Sequence, residues 1–411
     1  MENSAYGEIV IVGGGICGLA TALALHRKGI RSLVLERSEN LRATGVAIIM
    51  QANGWHALHQ LGVASSLRQT AIPIQRGKLI LLSEGSEVER ERPLGTSKEF
   101  RCLKRADLIK AMAENLPEGT VRTNCQVLSV KLDPVTYFQH LTLSNGTILQ
   151  AKVVIGCDGV NSVVANMVGL RPARFLLFST CAARGFTYYH DGHQFPAEFV
   201  VMNKDQVRLG RVPVSYNLVY WFITRPRTNQ DSTISKDPVL IKQSLMDSVK
   251  DFPTHVQEMV KNCELNTLNL TELKYRPPWD LLLENFRRGT VTVAGDAMHA
   301  TGPFIAQGGS ASLEDAVVLA RCLAQKMQNH VDKKAQVKER NIPNNNNVIE
   351  EALSEYVKER RMRNFWLNLY SFLLEKKISA RSLIVKVIIL TVISVLFRDP
   401  DWHIHYRCGT L

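Results

Sequence analysis

The sequence predicts an α/β protein in which a Rossmann-like domain is interrupted by an inserted antiparallel β-sheet and followed by C-terminal helices. A short apolar strand at residues 8–12 leads into the glycine-rich stretch 13–18 and then into a helical stretch at 19–26. Two more apolar strands, at 152–156 and 290–294, are each followed by neighbouring glycine and aspartate residues. Between these strands lie alternating runs that are rich in β-branched and aromatic residues, as in an antiparallel sheet.

The glycine-rich stretch matches the GxGxxG pattern in the strand–turn–helix context that the pattern requires. Gly13 permits a tight turn, Gly15 lets the backbone approach a pyrophosphate, and Gly18 lets the helix pack close to the strand. The free N–H groups of the helix N-terminus suit phosphates. A second strand, at 32–35, ends at Glu36, and an acid there suits ribose hydroxyls. The stretch therefore predicts a dinucleotide, either NAD or FAD.

The two later strands favour FAD. Asp158 follows the first of them and Asp296 the second, where each carboxylate could accept hydrogen bonds from ribityl hydroxyls. A helical stretch at 311–320 follows Gly309 and Ser310, whose N–H groups could hold the pyrimidine edge of a flavin. The three motifs, in this order, predict FAD in an extended groove.

With these motifs the chain resembles the class A, single-component FAD-dependent monooxygenases of the aromatic-hydroxylase type, and it is similar to plant salicylate-hydroxylase-like and zeaxanthin-epoxidase-like members. The similarity covers about residues 8–370. It includes an Arg-x-x-Leu feature at Arg105 and Leu108, and the domain it implies is of the glutathione-reductase type. The resemblance implies a cofactor site formed by Gly13, Gly15, Ile16, Cys17, Gly18, Glu36, Arg37, Arg42, Arg105, Asp158, Gly159, Asp296, Gly308, Gly309 and Ser310.

The resemblance also implies a reaction. NAD(P)H would reduce FAD, and O2 would then form a flavin C4a-hydroperoxide. That species would hydroxylate or epoxidise a small aromatic or terpenoid/alkaloid-type substrate, as in plant secondary metabolism. The cofactor carries this chemistry, so we expect no protein nucleophile and no metal. Pro303 and Gly309 would be the catalytic residues in the sense that they position the reactive flavin edge.

The chain departs from the family pattern at two places. Val163, Val164 and Ala165 occupy the region where the family usually has an arginine, a region linked to both FAD and nicotinamide binding. Ala306 replaces the first glycine of a Gly-Gln-Gly turn. If that position needs a positive φ, alanine costs about 1 kcal/mol or more. We expect that it does not and that the change is silent.

The predicted FAD-binding domain is discontinuous and comprises residues 1–72, 100–175 and 280–335. Residues 73–99 and 176–279 would form the substrate-binding β-sheet domain, and 350–411 a C-terminal helical segment. Aromatic residues in strands are more often core than ligand contacts, but a pocket on this sheet would suit a planar substrate, and an arginine a carboxylate. The candidate substrate contacts are Arg184, Tyr188, Phe199, Arg211 and Tyr220.

Charge and composition argue against nucleic acid as a partner and favour a reducing compartment. The chain has 411 residues and a net charge of +12, but basic and aromatic residues do not interleave as in nucleic-acid-binding proteins. The eight cysteines include no C-x-x-C pair, which favours reduced thiols. We expect a cytoplasmic protein, because no signal or transit peptide precedes the first strand.

Residues 383–397 are almost entirely apolar but too short for a bilayer span, which needs about 20 apolar residues. We expect this stretch to form a helix that buries its apolar face against the sheet domain. A second interpretation is a helix that makes peripheral membrane contact or admits apolar substrates.

Two other functions stay open from the sequence. One is a flavin-dependent reductase of isoprenoid double bonds, which shares the fold. The other is a non-catalytic protein that resembles the prenyl-protein escort proteins, which keep the first glycine loop without a working flavin site. A flavin halogenase is disfavoured, because the chain lacks the W-x-W-x-I-P motif.

Overall fold

The computed structural model describes residues 6–41, 47–92, 94, 99–175, 180–336, 345–380 and 382–411, so the candidate cofactor residue Arg42 lies outside the described residues. The strands are β1 (Tyr6–Val12), β2 (Leu33–Leu35), β3 (Ala47–Met50), β4 (Arg76–Ser83), β5 (Ser86–Arg92), β6 (Arg101–Lys104), β7 (Val121–Arg122), β8 (Val127–Leu132), β9 (Gln139–Leu143), β10 (Ile148–Gly156), β11 (Arg174–Phe175), β12 (Thr180–Tyr188), β13 (Glu198–Lys204), β14 (Val207–Ser215), β15 (Leu218–Pro226), β16 (Asn269–Glu272), β17 (Lys274–Tyr275), β18 (Arg287–Arg288) and β19 (Val291–Val293).

The helices are α1 (Ile16–Arg27), α2 (Ala52–Gln60), α3 (Ala64–Thr70), α4 (Arg105–Ala113), α5 (Val163–Met167), α6 (Asp231–Ile234), α7 (Pro238–Val249), α8 (Thr254–Lys261), α9 (Pro278–Leu283), α10 (Asp296–His299), α11 (Gly308–Gln336), α12 (Asn345–Ser379) and α13 (Leu383–Leu396). Short 3₁₀ turns occur at Leu265–Thr267, Pro303–Ile305 and Trp402–Ile404.

The first sheet has β1 at its centre, between β10 and β2, and all three strands are parallel. β19 extends the parallel sheet beyond β10, and β7 extends it beyond β2. Ile9, Val10 and Ile11 of β1 are all buried, as in a parallel sheet that is covered on both faces. α1 packs against α11. The prediction of a Rossmann-like domain is confirmed.

The second sheet has the strand order β16-β12-β15-β14-β13-β4-β5. It is antiparallel except between β4 and β13, which are parallel. β4 and β5 form a hairpin in the first inserted segment, and the remaining strands come from the second inserted segment. The inserted sheet is therefore confirmed, with one parallel pair that the sequence did not indicate. The domain boundaries themselves stay a prediction.

The two faces of the second sheet have different neighbours, because successive side chains of a strand point to opposite sides. In β15, Val219, Trp221 and Ile223 pack in a core cluster with residues of α7 and α8. Tyr220 and Phe222 belong to a cluster on the other face. The sequence patterns did not indicate α7 and α8, and these helices leave only the second face free to line a site.

α13 does not pack as predicted. The expectation that it buries its apolar face against the sheet domain is wrong, because its main packing partner is α12. The side chains of Leu383 and Ile384 are 75% and 72% exposed. One face of the sheet is covered by α7 and α8 and the other lines a cavity, so neither is available to α13. Within the described part of the chain, no helix is both long and apolar enough to cross a bilayer.

A buried group of charges joins α11 to α12. Glu314 accepts hydrogen bonds from Arg360 (2.7 Å) and Arg363 (2.9 Å), and Asp315 accepts one from Arg360 at 2.6 Å. Burial alone would raise the pKa of Asp315, but His299 and Arg360 reverse the effect and hold it below its ordinary value. We call these four residues, two acids and two arginines, the α11–α12 charge network.

We predict that Arg360→Met destabilises the protein by about 3–5 kcal/mol, because it removes the guanidinium that both buried carboxylates share and leaves each of them with one basic partner. Urea unfolding measures the loss. Lys358→Met is the matched control, since Lys358 is exposed on the same helix and should change stability by less than about 0.5 kcal/mol. Equal effects of the two substitutions would contradict the role given to Arg360.

Candidate active site

The turn after β1 has the geometry that its glycines predict. Gly13 has a φ of +104°, and a Cβ on Gly18 would lie 1.9 Å from the carbonyl oxygen of Gly13. Both positions therefore need glycine for the strand–turn–helix packing. A Cβ on Gly15, by contrast, would stand in open space, 3.8 Å from Nη2 of Arg105. Gly15 and the Arg105 guanidinium face the same cavity.

Glu36 holds this turn in place. Its Oε2 accepts a hydrogen bond from the Gly14 N–H at 2.7 Å, and its Oε1 accepts one from the Ser38 N–H at 2.9 Å. The Glu36 side chain is buried, whereas Arg37 beside it is exposed. These two bonds, one to each oxygen, fix the Glu36 carboxylate beside the turn.

The two aspartates that follow later strands differ in the structure. Asp158 accepts hydrogen bonds from the hydroxyl of Ser162 at 2.5 Å and from the Val163 N–H at 2.7 Å, so its carboxylate fixes the start of α5. Burial raises the pKa of Asp158, and these hydrogen bonds oppose the rise. Its role toward a cofactor stays a prediction: Gly159 lines the cavity, whereas the Asp158 carboxylate is bonded at the start of α5.

Asp296 is the acid that faces the cavity. It is the first residue of α10, exposed, and a lining residue. Asp315 fixes the backbone on both sides of Asp296, because it accepts hydrogen bonds from the Gly295 N–H at 2.8 Å and from the His299 side chain at 2.6 Å. Among the described residues we find no hydrogen-bond partner for the Asp296 carboxylate, so it is available to a ligand.

The turn before α11 is strained. Ala306 has a φ of +52°, in the left-handed region. The expectation that alanine is silent here is wrong, since a residue with a Cβ pays about 1–2 kcal/mol for this conformation. After the turn, Gly308 and Gly309 line the cavity at the start of α11. Ser310 is buried, with its hydroxyl 3.4 Å from the sulfur of Met50.

A cavity of about 660 Å³ lies between the two sheets. The cofactor side is lined by Gly15, Ile16, Cys17, Arg105, Gly159, Asp296, Gly308 and Gly309, and Pro303 borders it. The opposite side is lined by Ala182, Arg184, Phe199, Arg208, Tyr220, Phe222 and Thr224 of the second sheet. The sequence motifs and the inserted sheet therefore form one site.

Two predicted substrate contacts lie elsewhere. Arg211 is on the α7–α8 face of β14, with its guanidinium 4.1 Å from the centre of the Phe195 ring, and burial lowers its pKa to about 10. Tyr188, at the far end of β12, is 41% exposed, and its hydroxyl accepts a hydrogen bond from Asn217. Arg211 does not line the cavity because alternate side chains of a strand point to opposite faces. Tyr188 does not line it because it lies at the end of β12, away from the cavity.

Other lining residues were missed. Phe222 and Thr224 could have been found, because they share a strand face with Tyr220. Tyr370 and the 400–404 segment also line the cavity, and no local motif marks them.

The predicted substrate contact Arg184 donates a hydrogen bond to Thr271 at 2.9 Å. Burial raises the pKa of Tyr220, and Arg184 opposes that rise, so the Tyr220 hydroxyl stays protonated.

Comparison with known families agrees with this geometry. The family model described as FAD binding domain matches residues 6–335. Because the match covers most of the chain, the protein belongs to this family of FAD-binding proteins.

Named relatives extend the assignment. Monooxygenase 1 of Arabidopsis thaliana is 44% identical over 405 residues, covering 98% of this chain and 99% of the relative. Monooxygenase 2 of the same plant is 39% identical over 366 residues, covering 89% and 88%. A 3-amino-4-hydroxybenzoate 2-monooxygenase of Streptomyces cremeus is 28% identical, covering 77% and 78%. The protein is an FAD-dependent monooxygenase and thus an oxidoreductase.

Solved structures show the same fold. Klebsiella pneumoniae HpxO complexed with FAD and uric acid superposes with a TM-score of 0.75 at 22% identity, covering 99% of this chain and 98% of that one. The tetrameric form of 2-methyl-3-hydroxypyridine-5-carboxylic acid oxygenase has a TM-score of 0.68 at 22% identity, covering 89% and 90%.

The first prediction for the site concerns Gly15. Gly15→Val should fold, because no protein atom is close to the new Cβ, but its side chain would occupy the pyrophosphate position. The purified variant should be colourless, with a circular dichroism spectrum like that of the parent. Gly29→Asn is the control, since Gly29 also has open space around it and Asn tolerates its φ of +72°. Retention of flavin at parental occupancy in Gly15→Val would refute our placement of the loop.

The second prediction separates the two aspartates. Asp296→Ala should weaken FAD affinity about ten- to a hundredfold, because a charge-assisted hydrogen bond contributes about 1.5–3 kcal/mol. Asp158→Ala should mainly lower the melting temperature, since its carboxylate caps α5. Flavin titration and thermal unfolding measure the two effects. The assignment fails if Asp158→Ala weakens FAD binding more than Asp296→Ala does.

Proposed function

We propose that the protein uses NAD(P)H and O2 to hydroxylate or epoxidise a small aromatic or terpenoid/alkaloid-type substrate. The observation that carries the proposal is the cavity itself. Its cofactor wall, with Gly15, Asp296 and Gly308, faces an aromatic wall of Phe199 and Tyr220. A planar substrate held against the aromatic wall would face the cofactor across the cavity.

The residues present fit FAD. The Arg105 guanidinium beside Gly15 places a positive charge next to the loop that would take the pyrophosphate. The unpartnered Asp296 carboxylate suits hydroxyl groups of the ribityl chain. The N–H groups of Gly308 and Gly309, at the start of α11, suit the electron-rich edge of the flavin ring. Bound FAD would supply the redox chemistry with NAD(P)H and O2.

The chain's own residues would position reactants and exclude water. Pro303 begins a 3₁₀ turn at the border between the two walls, where it can hold the flavin edge and substrate together. Phe199, Tyr220 and Phe222 make the opposite wall apolar, which strengthens electrostatic interactions inside the cavity. No protein nucleophile is required for this role.

Arg184 supports a substrate with an acidic group. Arg184 and Arg208 both line the cavity, so the aromatic wall has positive charge. An arginine fork matches a carboxylate in geometry. The Streptomyces relative, named as acting on an aminohydroxybenzoate, supports aromatic acids as a first class to test.

A cytoplasmic location is part of the same proposal. All eight cysteines are among the described residues, and each is a free thiol. This state suits a reducing compartment.

The test is a screen of aromatic acids, phenols and terpenoids for substrates that stimulate NADH or NADPH oxidation. We expect O2 uptake and a product with one added oxygen atom. Oxidation of the nicotinamide with a saturated product and no O2 uptake would favour the isoprenoid reductase instead. A purified protein that takes up no FAD would favour the escort-like binding protein.

A variant pair then tests the substrate wall. Arg184→Gln should raise KM for a carboxylated substrate about tenfold or more, because a charge-assisted hydrogen bond is lost. Arg211→Gln is the control, since Arg211 lies on the opposite face of the sheet and should leave KM unchanged. A KM that responds equally to both substitutions would contradict a carboxylate contact at Arg184.

A further inference from the structure

α13 exposes an unusual amount of apolar surface. Nine of its 14 residues are large apolar side chains that are at least 37% exposed. Those with reduced exposure, Lys386, Ile389 and Ile393, are spaced as one face of the helix. Ile393 packs against the core cluster that contains Leu367 and Tyr370 of α12. The rest of the helix circumference faces outward, and an apolar patch of this extent marks a binding surface.

The charges next to this helix in the sequence are mainly basic. Residues 375–401 contain three acidic side chains, Glu375, Asp399 and Asp401, and five basic ones: Lys376, Lys377, Arg381, Lys386 and Arg398. The whole chain has a net charge of +12. An anionic surface is therefore the complementary partner, and a symmetric second copy of the same helix would bring like charges together.

The length of the helix decides how it would meet a lipid bilayer. Fourteen residues reach about 21 Å at 1.5 Å per residue, less than the roughly 30 Å of a hydrocarbon core. Apolar side chains with flanking basic residues are typical of helices that lie in the plane of the interface. Lys386 lies on the less exposed face of α13 with Ile389 and Ile393, so the outward face of the helix carries no charged side chain.

The chain after α13 leads directly into the cavity wall. Phe397 stacks on Trp402 and lies 4.7 Å, between ring centres, from Tyr370. Tyr370, Pro400 and Ile404 all line the cavity. A surface that holds α13 therefore also holds this wall of the cavity.

We propose that α13 is an interfacial helix that binds an anionic phospholipid surface and places the cavity wall formed by 400–404 beside it. The consequence for substrate rests on the proposed function: a substrate that partitions into lipid would reach the cavity from the membrane. The binding itself requires no catalysis.

The experiment is flotation of the full-length, FAD-loaded protein with vesicles of phosphatidylcholine, with or without phosphatidylserine. We expect the protein to bind the vesicles that contain phosphatidylserine. Its binding to vesicles of phosphatidylcholine alone should be at least tenfold weaker. Ile384→Glu/Ile388→Glu should lower binding tenfold or more. Leu128→Glu/Leu132→Glu is the matched control, because each leucine is 52% exposed on β8, and its binding should match that of the parent. Lys377→Gln/Arg398→Gln should weaken binding to the anionic vesicles about tenfold or more.

Three results would overturn the proposal: no flotation of the parent, equal losses in the α13 variant and its β8 control, or a dimer that Ile384→Glu/Ile388→Glu converts to monomer without any vesicle binding. Light scattering detects the last case. Oxidation of NAD(P)H with a water-soluble substrate should be unchanged in the α13 variant. If no substrate stimulates the parent enzyme, the proposed function fails, while flotation still decides the membrane proposal.

Discussion

The α11–α12 charge network is the interaction on which the site depends. Asp315 holds the Gly295 N–H on the cofactor side, and Arg363 donates a hydrogen bond at 2.6 Å to the carbonyl oxygen of His403, in the 400–404 segment that also lines the cavity. The cofactor wall and the 400–404 segment are therefore fixed by the same buried group. Desolvation offsets much of the attraction in buried ion pairs. We infer that the main contribution of this network is directional: hydrogen bonds fix positions that apolar packing alone would leave free.

The second constraint is the strand alternation of the inserted sheet. Each strand gives one set of side chains to the α7–α8 core and the other to the cavity, so Trp221 is core while Tyr220 beside it faces the site. Arg184 and Arg211 illustrate the effect, because both are arginines in central strands, yet only Arg184 lines the cavity. Residue type alone does not distinguish them.

α13 exposes far more apolar surface than a helix of a folded protein usually does. A helix this apolar would normally be buried, but one face of the second sheet is covered by α7 and α8 and the other lines the cavity. Among the described residues, α13 packs mainly against α12. Its exposed face contributes little to the folding free energy, because it stays in water in the isolated chain. Binding to a surface that removes this face from water would gain the free energy of apolar burial that folding alone does not provide.

The sequence by itself determined the features that local backbone rules control. Gly13 and Gly18 predicted the turn after β1, because a positive φ and a close helix–strand approach exclude a Cβ at those positions. Strand patterns predicted the inserted sheet, and the Gly-Asp pair at 295–296 predicted a turn that the structure places at the cavity. Family membership followed from these motifs, since they occur together over most of the chain.

Only the tertiary structure decided the rest. Asp158 and Asp296 look alike in sequence, but the first is engaged by Ser162 and Val163 whereas the second faces the cavity. The positive φ of Ala306, the orientation of Arg211 toward the α7–α8 face and the exposure of α13 were likewise not evident from local patterns. In each case the outcome depends on which distant groups compete for the same space or hydrogen bond, and those neighbours are set by packing between segments that lie far apart in the chain.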